Sequence, residues 1–439
     1  IFSTASLWLY NSISFKGVIM RKLYLTILAI INTFFILSMQ TIYASGEVTI
    51  SHYFSGDLGK ANFMKGVQKF EQSTGIKMKD SPVGHEDFKT DILVRAAGKK
   101  LPDVFSYWAG ARVQFIVNSN SLMPIDDMWS KDGLDGVVAK SVANSATMYN
   151  GKRYLVPLNY HYSGMFYNKN VLKQAGINEM PNNWNEFLKL CEKLKSKGIT
   201  PIALGSKNRW PAQFWFDYLI LRTVGPAYRE NLMAGKAAYN DYAVKHAMSV
   251  WKDLVDKGYF TANSNADTWT DASDKVARGK AAMTLMGTWI TGYWNGLDLK
   301  PGIDYDFFPF PIMSSGIPNA VVGPVDGLVI SANAKNANGA KKFLSFMMSN
   351  PQVQAQWTEG QGALSANTKV DPTKYNSVMQ RALRTVANAE VYAFNYDLAT
   401  PPPVAEVGLS MFTEFMDNPS NYDLILEKAE KNASREFKN

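Results

Sequence analysis

Cys191 is the only cysteine in 439 residues, so no disulfide can form within the chain. Histidine is nearly as scarce. The four histidines (His52, His85, His161, His246) are scattered, and His85-Glu86-Asp87 lacks the second histidine of a zinc-binding helix. No basic run is interleaved with aromatics as a nucleic-acid groove requires, and no Walker loop is present. Both absences argue against nucleic-acid partners and against nucleotide hydrolysis by this chain. The formal charge of +8 is modest, and Lys16, Arg21 and Lys22 supply three of its positive charges. Long apolar runs are missing too. The one candidate, residues 23–39, is interrupted by Thr26, Asn32 and Thr33 and is shorter than the roughly 20 residues of a membrane span.

With Met20-Arg21-Lys22 before it and Ala44-Ser45 after it, that run reads as a secretory signal peptide cleaved near Ala44-Ser45. Residues 1–19 precede the methionine and read as over-extended translation, so 1–44 are set apart from the fold. Cys191 lies far from the cut, so no lipid-bearing cysteine stands there, no lipid anchor is expected and the mature chain should be free in a periplasm. Cys191 shares a helical face with Trp184, Phe187, Leu190 and Leu194, where a thiol is a buried spectator and not a nucleophile.

Aromatic residues are abundant, at 13% of the chain, with 11 tryptophans and 21 tyrosines. They concentrate in residues 269–294, where Trp269, Trp289, Tyr293 and Trp294 flank a small-residue turn, with Asp271 and Asp274 near the first indole. Flat indole faces match the C–H faces of sugar rings, and carboxylates accept paired hydrogen bonds from vicinal hydroxyls. The mixture suggests a carbohydrate cleft. Each indole taken alone reads sooner as core than as site.

The chain length suits about two domains. Residues 48–54, 76–79 and 101–105 read as strands, separated by a helix that follows a Ser55-Gly56-Asp57 turn and ends at Gly75 and by a helix over 86–97, a strand–helix alternation that predicts a parallel α/β sheet. Ligands of such sheets sit at the carboxyl ends of strands, where Asp57 and Trp108 fall. Asn150-Gly151 predicts a hairpin turn. A second α/β unit is expected from about residue 158, with Asn183 capping a helix and Glu186 three residues on. Pro401-Pro402-Pro403 marks a stiff break before a final helix pair.

Five segments, in order, carry a family resemblance: Phe70-Glu71-Gln72-Ser73-Thr74-Gly75-Ile76, Leu101-Pro102-Asp103-Val104-Phe105, Phe166-Tyr167-Asn168-Lys169, Gly279-Lys280-Ala281-Ala282-Met283 through Gly287-Thr288-Trp289, and Gly323-Pro324-Val325-Asp326-Gly327. The chain resembles the extracellular solute-binding proteins of family 1, sugar receptors of ABC importers related to maltose- and glucose-binding proteins. The resemblance implies an α/β, type II-like, two-lobed periplasmic-binding-protein fold whose discontinuous lobes are joined by hinge strands. Lobe one is placed at 45–157 and 307–352, and lobe two at 158–306 and 353–439.

The resemblance also implies ligand positions. Asp57 matches an acidic loop after the first strand and Trp108 an aromatic position after the third, while His161 falls at the hinge. Trp210 lies in a lobe-two loop, and Trp269 and Trp289 match the aromatic wall of glucose-type members, with Asp271 beside it. Asp326 matches a hinge-side carboxylate, and Gln361 lies in a ligand-touching loop, although Ser365-Ala366-Asn367 lacks the proline usual nearby. Asp57 could instead cap its helix, Arg112 reads as a surface residue or the partner of a local acid, and Phe214, Trp215 and Tyr218 read as core. The implied action is closure of the lobes on a sugar sandwiched between indoles, with Asp57, Asp271 and Asp326 taking hydroxyl pairs. The closed, monomeric receptor would then dock on the membrane permease subunits, with no cofactor. A periplasmic carbohydrate-active enzyme, a receptor for a metal complex and a chemoreceptor partner remain as rivals.

Overall fold

Short apolar strands alternating with amphipathic helices build the first sheet. Val48–Ser51 pairs in parallel with Met78–Asp80 on one side and Val104–Trp108 on the other. Val325–Ile330, Leu155–Tyr160 and Leu364–Ser365 extend the sheet antiparallel, so the six strands form a mixed sheet and not a purely parallel one. The third strand runs three residues later than the apolar pattern suggests. Pro102 has no N–H for a ladder, and the Asp103 carboxylate accepts from the N–H and hydroxyl of Thr49 at 2.8 Å each. Trp108 is therefore the last residue of a strand, not the first after it.

The computed structural model describes residues 46–54 and 57–438, except the side chains of Asp57, Leu58, Lys140, Ser141 and Asn144. The expected leader at 1–44 lies outside the described residues. The second sheet has four strands, in the order Tyr305–Phe308, Ser163–Asn168, Ala281–Gly287, Thr200–Ile202; the last two are parallel and the other neighbours antiparallel.

Each sheet carries its own hydrophobic core. Phe105, Leu155, Val329, Phe343 and Trp357 belong to the first, and Phe166, Trp215, Trp251, Leu285 and Phe412 to the second. Helix Trp184–Ser196 shows how the sequence builds them: Phe187, Leu190, Cys191 and Leu194 form one buried stripe, and Asn183 caps the start by accepting from Glu186 N–H. Burial pushes the Cys191 thiol well up. Two lobes result, each assembled from non-consecutive stretches of chain.

Two strand connections cross between the cores at one point, with a third strand beside them. Leu155–Tyr160 passes into Ser163–Asn168 through His161, and Ala320–Val322 passes into Val325–Ile330 through Gly323-Pro324. Val391–Ala393 pairs with Ala320–Val322 alongside. His161 N–H donates to Pro324 O at 3.0 Å, and the Tyr392 hydroxyl reaches His161 O at 2.7 Å and Pro324 O at 3.0 Å. A Cβ on Gly323 would lie 2.0 Å from His161 O, so only glycine lets these crossings touch.

Two strand placements differ from the expected lobe limits. Tyr305–Phe308 pairs with Ser163–Asn168, so residue 307 lies inside a strand of the second sheet. Helix Pro351–Gln361 buries Val353 and Trp357 in the first core, and Leu364–Ser365 pairs with Leu155–Tyr160. The stretch after residue 353 thus begins with the first sheet. Trp357 explains why: its indole sits edge-on to Phe54 and Phe63 at 4.5 and 5.6 Å.

Candidate functional site

A cleft of about 590 Å³ lies between the two cores, within the roughly 300–1,000 Å³ usual for small-molecule sites. Its floor is Asp326, which the ladder of Val325–Ile330 sets opposite Trp108 and Asn159. The carboxylate accepts from the Tyr53 hydroxyl at 2.5 Å and Asn159 Nδ2 at 2.6 Å, and lies 3.2 Å from His161 Nε2. His161 Nδ1 is in turn 2.9 Å from Thr288 Oγ1, just before Trp289. A continuous hydrogen-bonded chain thus runs from one sheet through the hinge to the other. Burial alone would raise the Asp326 carboxyl, but the hydrogen bond and charge of His161, with the bonds from Tyr53 and Asn159, outweigh it and hold the group low.

The second core supplies an aromatic wall. Trp210 is edge-on or tilted to Trp289 at 5.9 Å and Trp269 at 6.5 Å, Tyr293 meets Trp269 at 5.3 Å, and Phe214 backs Trp289 at 6.0 Å. Trp269, Trp289 and Tyr293 are half-buried, which leaves ring surface for a ligand. Trp289 folds back over the end of its preceding strand because position 287 is glycine: a Cβ there would lie 1.9 Å from the indole. From the first core, Trp108 stacks on Tyr53 at 4.1 Å and is only 4% exposed, so one of its faces is already covered.

Polar contacts tie the two cores together at the cleft. Trp210 Nε1 donates to Glu86 Oε1 at 3.0 Å, and Lys89 Nζ and Arg112 Nη2 approach Asp397 Oδ2 at 3.3 and 3.4 Å. Segment 395–398 joins both sides, since Tyr396 is buried in the second core and Leu398 in the first. Burial works to raise the Asp397 carboxyl, but Lys89 and Arg112 outweigh it and hold it low. Glu86 is lowered as well: burial opposes, but His85, Lys89 and the Trp210 N–H prevail.

Seven of the nine residues expected at the site line this cleft: Trp108, His161, Trp210, Trp269, Trp289, Asp326 and Gln361. Asp271 does not. It is exposed and closes a capping box with Thr268, accepting from its N–H at 2.8 Å and its hydroxyl at 2.6 Å, so its hydrogen-bonding capacity serves the helix start. Helix Asp57–Thr74 begins at Asp57, whose side chain is outside the described set. Arg112 is only 2% exposed, as the partner of an acid and not a surface residue. Phe214, Trp215 and Tyr218 are all buried in the second core, as their spacing suggests, and Phe214 also borders the cleft.

Sequence reasoning missed Tyr53, His85, Lys89, Asn395 and Asp397, all of which line the cleft. His85 and Lys89 sit at i and i+4 of helix His85–Ala97, a spacing that places both on one face. Asn395 and Asp397 carry no local signal. Among the described residues no three His, Cys, Asp or Glu side chains converge as a metal set, and no helix is long and apolar enough to cross a membrane.

The sequence profile of the bacterial extracellular solute-binding proteins matches residues 56–355. An uncharacterized ABC transporter extracellular-binding protein of Pyrococcus horikoshii is 30% identical over 350 residues, 78% of this chain and 77% of its own length. A probable sugar-binding periplasmic protein of Brucella suis is 26% identical over 349 residues, 78% and 80% of the two chains. Among solved structures, the bacterial solute receptor AcbH, described as having an exclusive substrate preference for b-D-galactopyranose, superposes with a TM-score of 0.83 at 26% identity, over 90% of this chain and 100% of that one. A chitin oligosaccharide binding protein, 24% identical, shares the fold with a TM-score of 0.82 over 90% and 99%.

Proposed function

We propose that this chain, which belongs to the bacterial extracellular solute-binding proteins, is a carbohydrate receptor that closes on a mono- or oligosaccharide and delivers it to the membrane subunits of an ABC importer. The observation that carries this reading is the cleft itself: half-buried Trp269, Trp289 and Tyr293 share one cavity with the buried Asp326 carboxylate. Each well-stacked ring adds about 0.5–1.5 kcal/mol beyond area burial. Specificity follows from the polar floor, because a buried acceptor left unmatched costs about 1–3 kcal/mol. The names of the relatives in Brucella suis and of the galactopyranose receptor support the same class of ligand.

Closure is a rotation of one core against the other about the crossings at His161 and Gly323-Pro324 and the strand Val391–Ala393 beside them, with the ligand favouring the closed form. The ligand set proposed is Trp108, His161, Trp210, Trp269, Trp289, Asp326 and Gln361, together with Asp57. Lobe one is drawn as 47–160, 325–350 and the stretch through Leu364–Ser365, and lobe two as the remainder. The extracellular family supports export, and the reading includes a leader cut near Ala44-Ser45, a periplasmic site of action and a monomeric receptor.

Binding without turnover is the favoured chemistry. A glycosidase needs one carboxyl held protonated near neutral pH as a general acid. The carboxyls of Asp326 and Asp397 in the cleft and of Glu86 beside it are all held low, which supports binding over general-acid catalysis. A thermal-shift screen against D-glucose, D-galactose, D-xylose, maltose and raffinose tests the reading. At least one sugar should raise Tm in a saturable way, and labelled oligosaccharides should be recovered uncleaved. No shift with any sugar, or any cleavage, sinks it.

A further inference from the structure

Segment 395–397 presents a polar group whose orientation is dictated by its neighbour. Asn395 is 5% exposed and lines the cleft. Its Nδ2 donates to Asp397 Oδ1 at 2.6 Å. A carboxylate only accepts, so the amide must turn its NH₂ toward Asp397 and its carbonyl away. That carbonyl, Oδ1, is buried and has no donor. Asp397 cannot rotate to change this. Its Oδ2 faces Lys89 and Arg112, Arg112 Nε holds its main-chain carbonyl at 3.1 Å, and its N–H donates to Gln213 Oε1 at 2.8 Å.

We propose that Asn395 is a specificity-determining acceptor for one hydroxyl of the ligand, with Lys89 as the donor for an adjacent oxygen. The inference rests on the carbohydrate reading and deepens it. Lys89 Nζ carries three N–H groups, also lines the cleft, and lies 5.7 Å from the Trp108 ring centroid. A hydroxyl placed here donates to Asn395 Oδ1 and accepts from a neighbouring ammonium, a pairing open to a polyol and closed to an apolar solute. The buried amide carbonyl has no protein donor, and a ligand hydroxyl that donates to it removes that penalty. Asn395 thus couples recognition to closure.

A cycle of protein and ligand variants tests this. The sugar of the five named above with the largest thermal shift is titrated by calorimetry, with its monodeoxyfluoro analogues, into the wild type, Asn395→Leu and Asn395→Ala. Fluorine removes the donor and keeps the size, so one analogue should bind the wild type about tenfold more weakly than the parent. Both variants should lose about tenfold for the parent and nothing further for that analogue. Losses that multiply at every ring position, or either folded variant binding the parent within twofold of wild type, overturn the assignment. If both variants fail to fold, the fluorinated series on the wild type still decides, because no position losing more than twofold overturns it. Binding of none of the five sugars removes the carbohydrate reading and this subsite with it. Sugar binding without the coupling removes only the subsite.

Discussion

Trp210 Nε1 donates to Glu86 Oε1 over 3.0 Å, joining helix His85–Ala97 of the first core to the turn Trp210–Ala212 of the second. The bond exists only when the cores approach, so it is worth more to the closed form than to any open one. A hydrogen bond to a charged group contributes about 1.5–3 kcal/mol when buried. The Glu86 side chain is 38% exposed, so about 1 kcal/mol is the fitting scale.

Trp210→Phe keeps an aromatic ring and removes the N–H. Apparent sugar affinity should fall roughly fivefold, and small-angle scattering of the unliganded variant should show a larger radius of gyration than wild type. Glu86→Gln retains an acceptor and should change affinity less. Wild-type affinity and radius for Trp210→Phe would mean the bond has no part in closure.

Trp289 meets His161 edge-on at 5.2 Å and Trp210 at 5.9 Å, yet remains half-buried. Trp289→Ala should abolish the sugar-induced change in intrinsic fluorescence and weaken binding at least tenfold, while leaving the unliganded melting profile near normal. A variant that fails to fold would instead mark the indole as core.

Asp271 makes the opposite prediction. Its carboxylate closes a capping box on an exposed helix start, so Asp271→Ala should cost about 1 kcal/mol of stability. Sugar affinity should stay within twofold of wild type by titration calorimetry. A tenfold loss of affinity with unchanged Tm would return Asp271 to the binding wall.

The contrast between these two residues shows what the sequence makes legible. Thr268-x-x-Asp271 is a local capping signal, readable within four residues, and it outweighs the proximity of Asp271 to an indole. Strand–helix alternation over residues 48–108 gives the start of the first sheet because both periods are local. The antiparallel additions at Val325–Ile330 and Leu364–Ser365 arrive from more than two hundred residues away; residues 320–331 read as strand, but no local period names the partner of either addition. Asn395 and Asp397 were illegible for the same reason. Their surroundings are Lys89, Arg112 and Gln213, separated from them by 182 residues or more, and only folding brings them together. The Trp269–Trp289 wall was found because a cluster of indoles is dense enough to stand out without its context.

Asp326 gives the molecule an acid-sensitive hinge. Its folded-state carboxyl is lowered relative to the unfolded chain: burial opposes, while His161, Tyr53 and Asn159 prevail. The native state therefore binds fewer protons than the unfolded state between the two values, and stability falls as pH falls through that interval. The contribution is complete above the unfolded value of about 3.9 and is lost below it as the folded carboxyl takes up its proton. Urea unfolding between pH 7 and pH 3 should show wild-type stability dropping on the acid side, with Asp397 adding in the same sense. Asp326→Asn should be less stable at pH 7 and show a shallower fall toward pH 3. An acid limb for the variant as steep as wild type would show that protonation of other groups governs the loss.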